Sequence, residues 1–385
     1  MLDTIALTLK PSQFTIWDHA RFTPSTAGLF QEPYYSIGKR GYIKCVQNPT
    51  AQELENGIYK PRLTVVRRMG TTTYATTLRI EFSVPKLIFG NNFDEVTDKD
   101  FKAVIAQLKG RLKEMGVFVY HGFLEEAPVS AIHYSKNIPL MDYSTPSTIL
   151  KELSKADVNQ RLDLNQTDFR NGGHSLKFRA NNFEIVFYDK VKDMARAKNS
   201  EKRAIEKDYA GQLELFDTIK PKKPFEVLRF EIRLGNRAKI KAVLRKLGLP
   251  CEITFKELFA QKTAQMILQA YFQEIMASYS LLHLKPDFWR NFVWSFRVQH
   301  PESKIRKMLQ IAGMTAICQE LGAREFREAI GIYGRHHWPQ LKKDLLNYAS
   351  NGGATQPFKV IEQALRDFRP LKLADFAENN PGLVN

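Results

Sequence analysis

The strand predicted at residues 227–234 alternates between apolar and charged side chains from Leu228 onward. In an extended chain its apolar residues point to one side, and Arg229, Glu231 and Arg233 point to the other. Such a strand belongs in a sheet that buries one face and leaves the other polar, which is typical of antiparallel sheets. Near-alternating runs of β-branched and aromatic residues predict seven more strands, at residues 5–9, 62–68, 76–84, 117–120, 131–136, 175–179 and 183–188.

Helical patterns first interleave with these strands and then replace them. Residues 99–115 place their apolar side chains on one helical stripe, and residues 144–156 begin with a Ser-Thr-Pro-Ser cap. Beyond about residue 253 the predicted elements are all helical, at residues 255–283, 304–320, 323–332 and 338–349. We therefore predict an α+β fold with two domains, an antiparallel-sheet domain at residues 1–253 and an all-helical domain at residues 254–385. The Pro- and Lys-rich stretch at residues 217–224 is predicted to be a connector.

Charge and composition indicate a polyanionic partner. The chain carries 57 Lys and Arg against 41 Asp and Glu, a formal net charge of +16, which favours nucleic acid through counterion release. A generally basic protein without such a partner is the plain alternative. The chain has no long charge-free apolar run, and its three cysteines lie far apart. We expect a cytoplasmic protein that does not bind membranes.

Tyr188 ends a predicted strand, and Lys190 follows two residues later. A tyrosine in this position presents its hydroxyl at the edge of a sheet beside a fixed positive charge. That arrangement suits a covalent nucleophile aimed at a phosphodiester. The alternative is a half-buried tyrosine that only terminates its strand.

Three strands carry an acidic or imidazole residue between apolar neighbours: Glu81, His133 and Glu231. If the apolar neighbours face the helices, these three side chains lie on one open surface. Two carboxylates and an imidazole suit Mn²⁺ or Mg²⁺ better than a structural zinc. A divalent metal there would polarise a scissile phosphate while Tyr188 attacks it. Taken alone, each residue is more typical of a solvent-facing strand residue, and only the three together indicate a metal site.

Four motifs, in order, resemble those of rolling-circle replication initiators: Arg-Ile-Glu-Phe, Ile-His-Tyr-Ser, Val-Phe-Tyr-Asp-Lys and Leu-Arg-Phe-Glu-Ile-Arg-Leu. The chain is similar to the filamentous-phage gene II protein family and to the Rep_trans plasmid initiators. Its opening Leu-Asp-Thr-Ile-Ala-Leu-Thr-Leu and the Gly-containing turn at residues 89–93 also look like the phage group. The resemblance covers roughly residues 1–255.

The resemblance implies an HUH-like nicking and joining endonuclease on a five-stranded antiparallel sheet. Tyr188 then corresponds to the nucleophile, while Glu81, His133 and Glu231 correspond to the acidic, central and last motif residues. The central position usually carries Asp in the two similar families and His in the wider class. Ser135 stands where a His-x-His pair would have its second histidine. Asp163 is a rival metal ligand, and His174 is a candidate phosphate contact.

The implied partner is DNA, as an origin in single-stranded or cruciform form. Five basic residues on or beside predicted strands are expected to contact it: Lys136, Lys177, Arg179, Arg229 and Arg233. The sequence has no G-x-x-x-x-G-K-[ST] motif, so unwinding would depend on a partner such as a host helicase. Residues 304–322 have the loose pattern of a helix-turn-helix, although apolar spacing of this kind is more typical of bundle packing. The rival functions are a relaxase or transposase-like strand transferase and a non-catalytic origin-binding protein.

Overall fold

The computed structural model describes residues 1–30, 42–50, 52–53, 56–69, 74–140, 144–158, 162, 164–197, 226–279, 288–334, 336–348 and 356–376. The predicted connector at residues 217–224 lies outside the described residues, as does Asp163.

The strands of the described residues form two antiparallel sheets. They are β1 (Leu2–Leu9), β2 (Phe14–Ile16), β3 (Tyr42–Gln47), β4 (Arg62–Met69), β5 (Tyr74–Ser83), β6 (Val117–Val119), β7 (Val129–Leu140), β8 (Gln166–Arg170), β9 (Ser175–Ala180), β10 (Phe183–Asp189) and β11 (Glu226–Leu234). Nine of them make one sheet in the order β3-β4-β5-β1-β7-β11-β10-β9-β8, and β2 pairs with β6. Every neighbouring pair is antiparallel.

Helices lie between strands in the first part of the chain and follow one another after β11. They are α1 (Val84–Phe89), α2 (Phe101–Glu114), α3 (His121–Glu125), α4 (Pro146–Ser154), α5 (Lys190–Ala197), α6 (Arg237–Lys246), α7 (Phe255–Leu258), α8 (Gln261–Tyr279), α9 (Phe288–Gln299), α10 (Ile305–Leu321), α11 (Ala323–Ile330), α12 (His337–Tyr348) and α13 (Gln356–Asp367). Among the described residues, none of these helices has the length and hydropathy needed to span a membrane.

The large sheet has two chemically different faces. We call the side to which Ile5, Ile80, Ile132, Ile185 and Ile232 point the apolar face; all five are buried. The opposite side, the polar face, carries mainly charged and hydroxyl side chains. Strand alternation produces this division, as the sequence pattern predicts.

Helices of the C-terminal part pack on the apolar face. The Phe187 ring of β10 stacks on Phe230 of β11 at 4.4 Å between centroids, and Phe230 meets Phe272 of α8 at 6.2 Å. The hydroxyl of Tyr134 in β7 donates a hydrogen bond to the carbonyl of Leu258 in α7 at 2.8 Å. One hydrophobic core therefore continues across residue 253, where the boundary between two domains is predicted.

The prediction of a mixed α+β fold with an antiparallel sheet is confirmed, while the HUH-like identity of that sheet stays a prediction. All eight predicted strands are present. Sequence patterns missed β2, β3 and β8, which are short or polar. They also missed the helices α1, α3, α6, α9 and α13, and the long helix predicted from residue 255 is split between α7 and α8.

The edge of β7 that pairs with β1 extends past the end of β1. Beyond that point the Glu95 carboxylate and a C-terminal segment cover it. The N–H of Ser135 still donates to the Met1 carbonyl at 2.8 Å, but the next N–H on this edge, from Asn137, donates to Glu95 Oε1 at 2.7 Å. Glu95 Oε2 accepts from the N–H of Leu371 at 2.9 Å. We call residues 369–376 the C-terminal strap. It ends against Phe93, whose ring meets Phe376 at 5.9 Å.

Candidate metal and tyrosine site

Three potential metal ligands converge on the polar face: Asp3 of β1, His133 of β7 and Glu231 of β11. Each offers a ligand atom, and these atoms all lie within 4.8 Å of one another. His133 Nδ1 is 3.3 Å from Glu231 Oε1. Glu231 is buried, whereas the side chain of His133 is 27% exposed, so the group can be reached from solvent on the His133 side. One imidazole nitrogen and carboxylate oxygens form a donor set suited to Mn²⁺ or Mg²⁺.

Asp3 reaches the polar face through an irregularity in β1. Leu2 is paired with Tyr134 and Thr4 with His133, so Asp3 is an extra residue between two consecutive partners. Such a β-bulge re-aims a side chain. Without it, alternation would place Asp3 on the same side as Ile5. Sequence reasoning missed Asp3 for this reason, because nothing in the alternating Leu-Asp-Thr-Ile pattern signals the bulge.

Glu231 is held as a carboxylate by its neighbours. Arg233 donates to both oxygens, through Nε to Oε1 at 2.9 Å and through a terminal nitrogen to Oε2 at 3.1 Å. Burial alone would raise the pKa of Glu231, but the charge of Arg233 and the hydrogen bond from His133 outweigh it and hold the pKa well below its usual range. Carboxylate oxygens have further lone pairs, so the Arg233 bonds leave acceptor capacity for a cation.

Tyr188 lies on the same face, one strand from Glu231. It pairs across strands with Arg229, while Val186 pairs with Glu231. The Tyr188 side chain is half-buried. Burial raises its pKa well above the ordinary value; Arg229 opposes this increase and Glu231 adds to it. The phenol is therefore protonated at neutral pH, and it needs help to ionise.

Lys190 is fully buried at the start of α5, and its amino group donates to Asn92 Oδ1 at 2.7 Å. The Nζ atom lies 6.0 Å from the centroid of the Tyr188 ring. Burial and the nearby Arg229 hold the pKa of Lys190 well below its ordinary value. The predicted neighbourhood of Tyr188 and Lys190 is therefore present. Asn92 belongs to the Gly-containing turn at residues 89–93, whose Gly90 adopts a positive φ of 70°.

Arg229 is buried between the metal-binding group and Tyr188. It contacts Asp3 Oδ1 at 2.6 Å, the Asn92 carbonyl at 2.8 Å and Asn137 Oδ1 at 3.3 Å. With an exposed fraction of 2%, it does not fit the predicted DNA contact.

Lys136 does not fit that prediction either. Its neighbours in β7 alternate so that His133 and Ser135 point to the polar face, and Lys136 points away from it. Its amino group is buried and bonded to Glu95 Oε2 at 2.5 Å.

Three of the predicted DNA contacts do lie on the polar face with access to solvent. Lys177 and Arg233 both pair with Glu184 Oε2 at 3.1 Å. Arg179 bonds Gln166 and lies 3.5 Å from Asp168. Arg170 of β8, which the sequence analysis did not single out, extends this basic strip and is 58% exposed.

Glu81 shares the polar face but stands outside the metal-binding group. It pairs with Ala6 of β1, and Ala6 pairs with Ala131, two residues along β7 from His133. Two strand spacings of about 4.8 Å therefore separate the Glu81 backbone from β7. Its carboxylate pairs with Arg79 at 3.1 Å, with both side chains more than 40% exposed. Geometry thus favours Asp3 over Glu81 as the second carboxylate.

The remaining candidates lie elsewhere. His174 contacts Ser147 Oγ at 3.1 Å and lies 3.9 Å from buried Asp189. Helices α10 and α11 meet at Gly322, which fits a turn between two helices without indicating DNA binding.

No protein-family model, no curated protein and no solved structure matches this chain. The resemblance to rolling-circle initiators therefore remains an expectation based on the sequence motifs.

Proposed function

We propose that this protein is a metal-dependent DNA nicking and joining endonuclease of the rolling-circle initiator type, with Tyr188 as its nucleophile. One observation carries the proposal. Asp3, His133, Glu231 and Tyr188 project to the polar face from four consecutive strands of the sheet, β1, β7, β11 and β10. A nucleophile beside a cation-binding group is the arrangement that phosphodiester attack requires.

In the proposed reaction, Tyr188 Oη attacks phosphorus and the bond to O3′ breaks. The phenol loses its proton, and O3′ takes up a proton to leave as a free 3′-hydroxyl. The protein remains joined to the 5′ phosphate of the other DNA end. Joining is the reverse, in which a 3′-hydroxyl attacks the phosphotyrosine and restores the phenol.

The groups around Tyr188 have separate roles in the proposed reaction. A divalent cation bound to Asp3, His133 and Glu231 supplies Lewis-acid polarisation of the scissile phosphate. Arg229 adds buried positive charge next to the phenol. A lysine with a lowered pKa can also accept a proton, so Lys190 suits transfer of the Tyr188 proton. The strip of Lys177, Arg179 and Arg170 offers contacts to the phosphates of the DNA strand.

Capture of a covalent adduct tests this proposal. The protein is incubated with Mn²⁺ and a pool of randomised single-stranded oligonucleotides labelled at the 3′ end, then run on a denaturing gel. Wild type should retain label, because a 5′-phosphotyrosine holds the labelled end. Tyr188→Phe should retain none. Tyr120→Phe is the control, because Tyr120 lies just before α3 and is 55% exposed, and it should behave as wild type. Equal labelling of the Tyr188→Phe protein would refute the nucleophile.

A second candidate is a DNA-binding replication protein that does not cut. The observation favouring it is the burial that raises the pKa of Tyr188 and disfavours the phenolate. This candidate predicts retardation of the oligonucleotide pool on a native gel without any covalent adduct. The relaxase-like and transposase-like alternatives share the adduct, and the structure favours neither of them over an initiator.

A further inference from the structure

Arg229 connects parts of the chain that are far apart in sequence. One terminal nitrogen of its guanidinium bonds Asp3 in β1, and the other bonds the Asn92 carbonyl and Asn137 in β7. Its own strand, β11, also carries Glu231, and its cross-strand partner in β10 is Tyr188. The side chain is therefore fixed by one contact within the metal-binding group, with Asp3, and by two contacts outside it, with Asn92 and Asn137.

The chemistry of arginine suits this position. The guanidinium is a planar fork that remains charged when buried, and it presents several donors in fixed directions. A lysine could supply the charge, but it could not bond Asp3 and Asn92 simultaneously with the same geometry.

The contact with Asp3 has a specific consequence. Asp3 sits at a β-bulge, where the local ladder does not define the direction of its side chain as it does in regular strand. Arg229 holds it through Oδ1, and Thr4 Oγ1 donates to Oδ2 at 3.2 Å. The guanidinium therefore determines which way the carboxylate faces.

We propose that Arg229 is a positioning residue that joins the two halves of the site, directing Asp3 toward the bound cation while placing a fixed charge across from Tyr188. The role for the cation and for Tyr188 rests on the proposed function. The role for Asp3 does not need DNA, so the two can be tested separately.

A double-mutant cycle on Mn²⁺ affinity tests the first half. Free Mn²⁺ is measured by electron paramagnetic resonance in titrations of wild type, Arg229→Met, Asp3→Asn and the double variant. Loss of a residue that orients a metal ligand typically weakens binding by about 10–100-fold, and we expect this from Arg229→Met. Because Arg229 acts through Asp3, the double variant should bind no more weakly than Asp3→Asn alone.

Three further variants control for folding and for charge. Arg67→Met removes another buried arginine, which donates to the Leu29 carbonyl in a different part of the sheet, and it should leave Mn²⁺ affinity unchanged. Arg229→Lys keeps the charge and should recover part of the affinity. If Arg229→Met fails to fold, Arg229→Lys and Arg229→Gln carry the cycle. Additive losses in the cycle, or wild-type affinity in a folded Arg229→Met protein, would overturn the proposal.

The adduct assay at saturating Mn²⁺ tests the second half. With the metal site filled, Arg229→Met should still form adduct at least tenfold more slowly, on the order expected for a lost charge contact in a transition state. Arg229→Lys should recover most of this rate. If wild type forms no adduct while the Mn²⁺ cycle shows coupling, the nickase function fails and the positioning of Asp3 stands. If wild type forms adduct and the cycle is additive, the nickase function stands and the positioning of Asp3 by Arg229 fails.

Discussion

Two groups of buried or partly buried carboxylates lie beside β7, and only one of them is open to solvent. Glu95 is 3% exposed, and its oxygens accept from Lys136, Asn137 and Leu371. The Asp3–His133–Glu231 group uses similar residue types, but His133 faces solvent and the three ligand atoms point at one another. In the closed cluster both oxygens of Glu95 accept hydrogen bonds from buried donors of the protein itself. In the open cluster the carboxylates of Asp3 and Glu231 also accept from Arg229, Thr4 and Arg233, but the partly exposed His133 leaves the ligand atoms accessible to a cation from solvent.

The largest effect should come from breaking the closed cluster. Glu95→Gln removes the charge that balances buried Lys136, and loss of one partner of a buried pair costs about 3–5 kcal/mol. Urea unfolding followed by circular dichroism measures this loss. Glu81→Gln, which breaks the exposed pair with Arg79, is the matched control and should cost less than about 1 kcal/mol. If both variants lost similar unfolding free energy, the buried Glu95–Lys136 pair would contribute no more than the exposed Glu81–Arg79 pair, which would contradict this contrast.

The next effect concerns metal affinity in the open cluster. His133→Ala removes a direct ligand and should weaken Mn²⁺ binding by about 100-fold or more, since loss of even an outer partner costs about 10–100-fold. Isothermal titration calorimetry measures it. Glu81→Gln should bind Mn²⁺ like wild type, because Glu81 lies outside the group. A loss of affinity in Glu81→Gln instead would restore Glu81 as a ligand and displace Asp3.

The smallest effect is a pH dependence at the rim of the open cluster. Burial would raise the pKa of Glu184, but Lys177 and Arg233 outweigh burial and lower the pKa. The folded protein therefore binds this proton less tightly than the unfolded chain, whose glutamate has a pKa near about 4.3. The stabilisation is present above that pH and is lost as the pH falls below it.

The comparison of wild type with Glu184→Gln isolates this contribution. The difference in unfolding free energy should stay constant between about pH 7 and pH 5.5 and then shrink on acidification. Its size should be below about 1 kcal/mol, since the pair is partly exposed. A difference that grows as the pH falls would show that the interaction favours the protonated carboxyl.

Sequence alternation predicted the two faces of the sheet but not the details that complete the site. The pattern around Glu231 and His133 correctly places both side chains on the polar face, because a strand with one buried face has a defined register. Glu81 follows the same rule and shares the face, yet its position along the sheet depends on how strands align, which one segment cannot reveal. Asp3 needs the bulge, and only the three-dimensional pairing of β1 with β7 shows it.

Lys136 was predicted as a DNA contact for a related reason. Its basic side chain in a predicted strand gave no sign of a partner 41 residues earlier in the chain. Pairing between residues that are distant in sequence, rather than any local preference, decides whether such a charge is buried or accessible to a ligand.

The bond from Leu371 to Glu95 links residues 276 positions apart, and this has a consequence for synthesis. At a translation rate of about 5–20 residues per second, roughly 14–55 s pass between the appearance of Glu95 and of Leu371 at the ribosome. During that interval Glu95 lacks the hydrogen bond from Leu371, and the C-terminal strap does not yet cover the edge of β7. A chain that has not yet been synthesised through Leu371 would therefore lack this cover on the edge of β7 beside its proposed cation-binding residues.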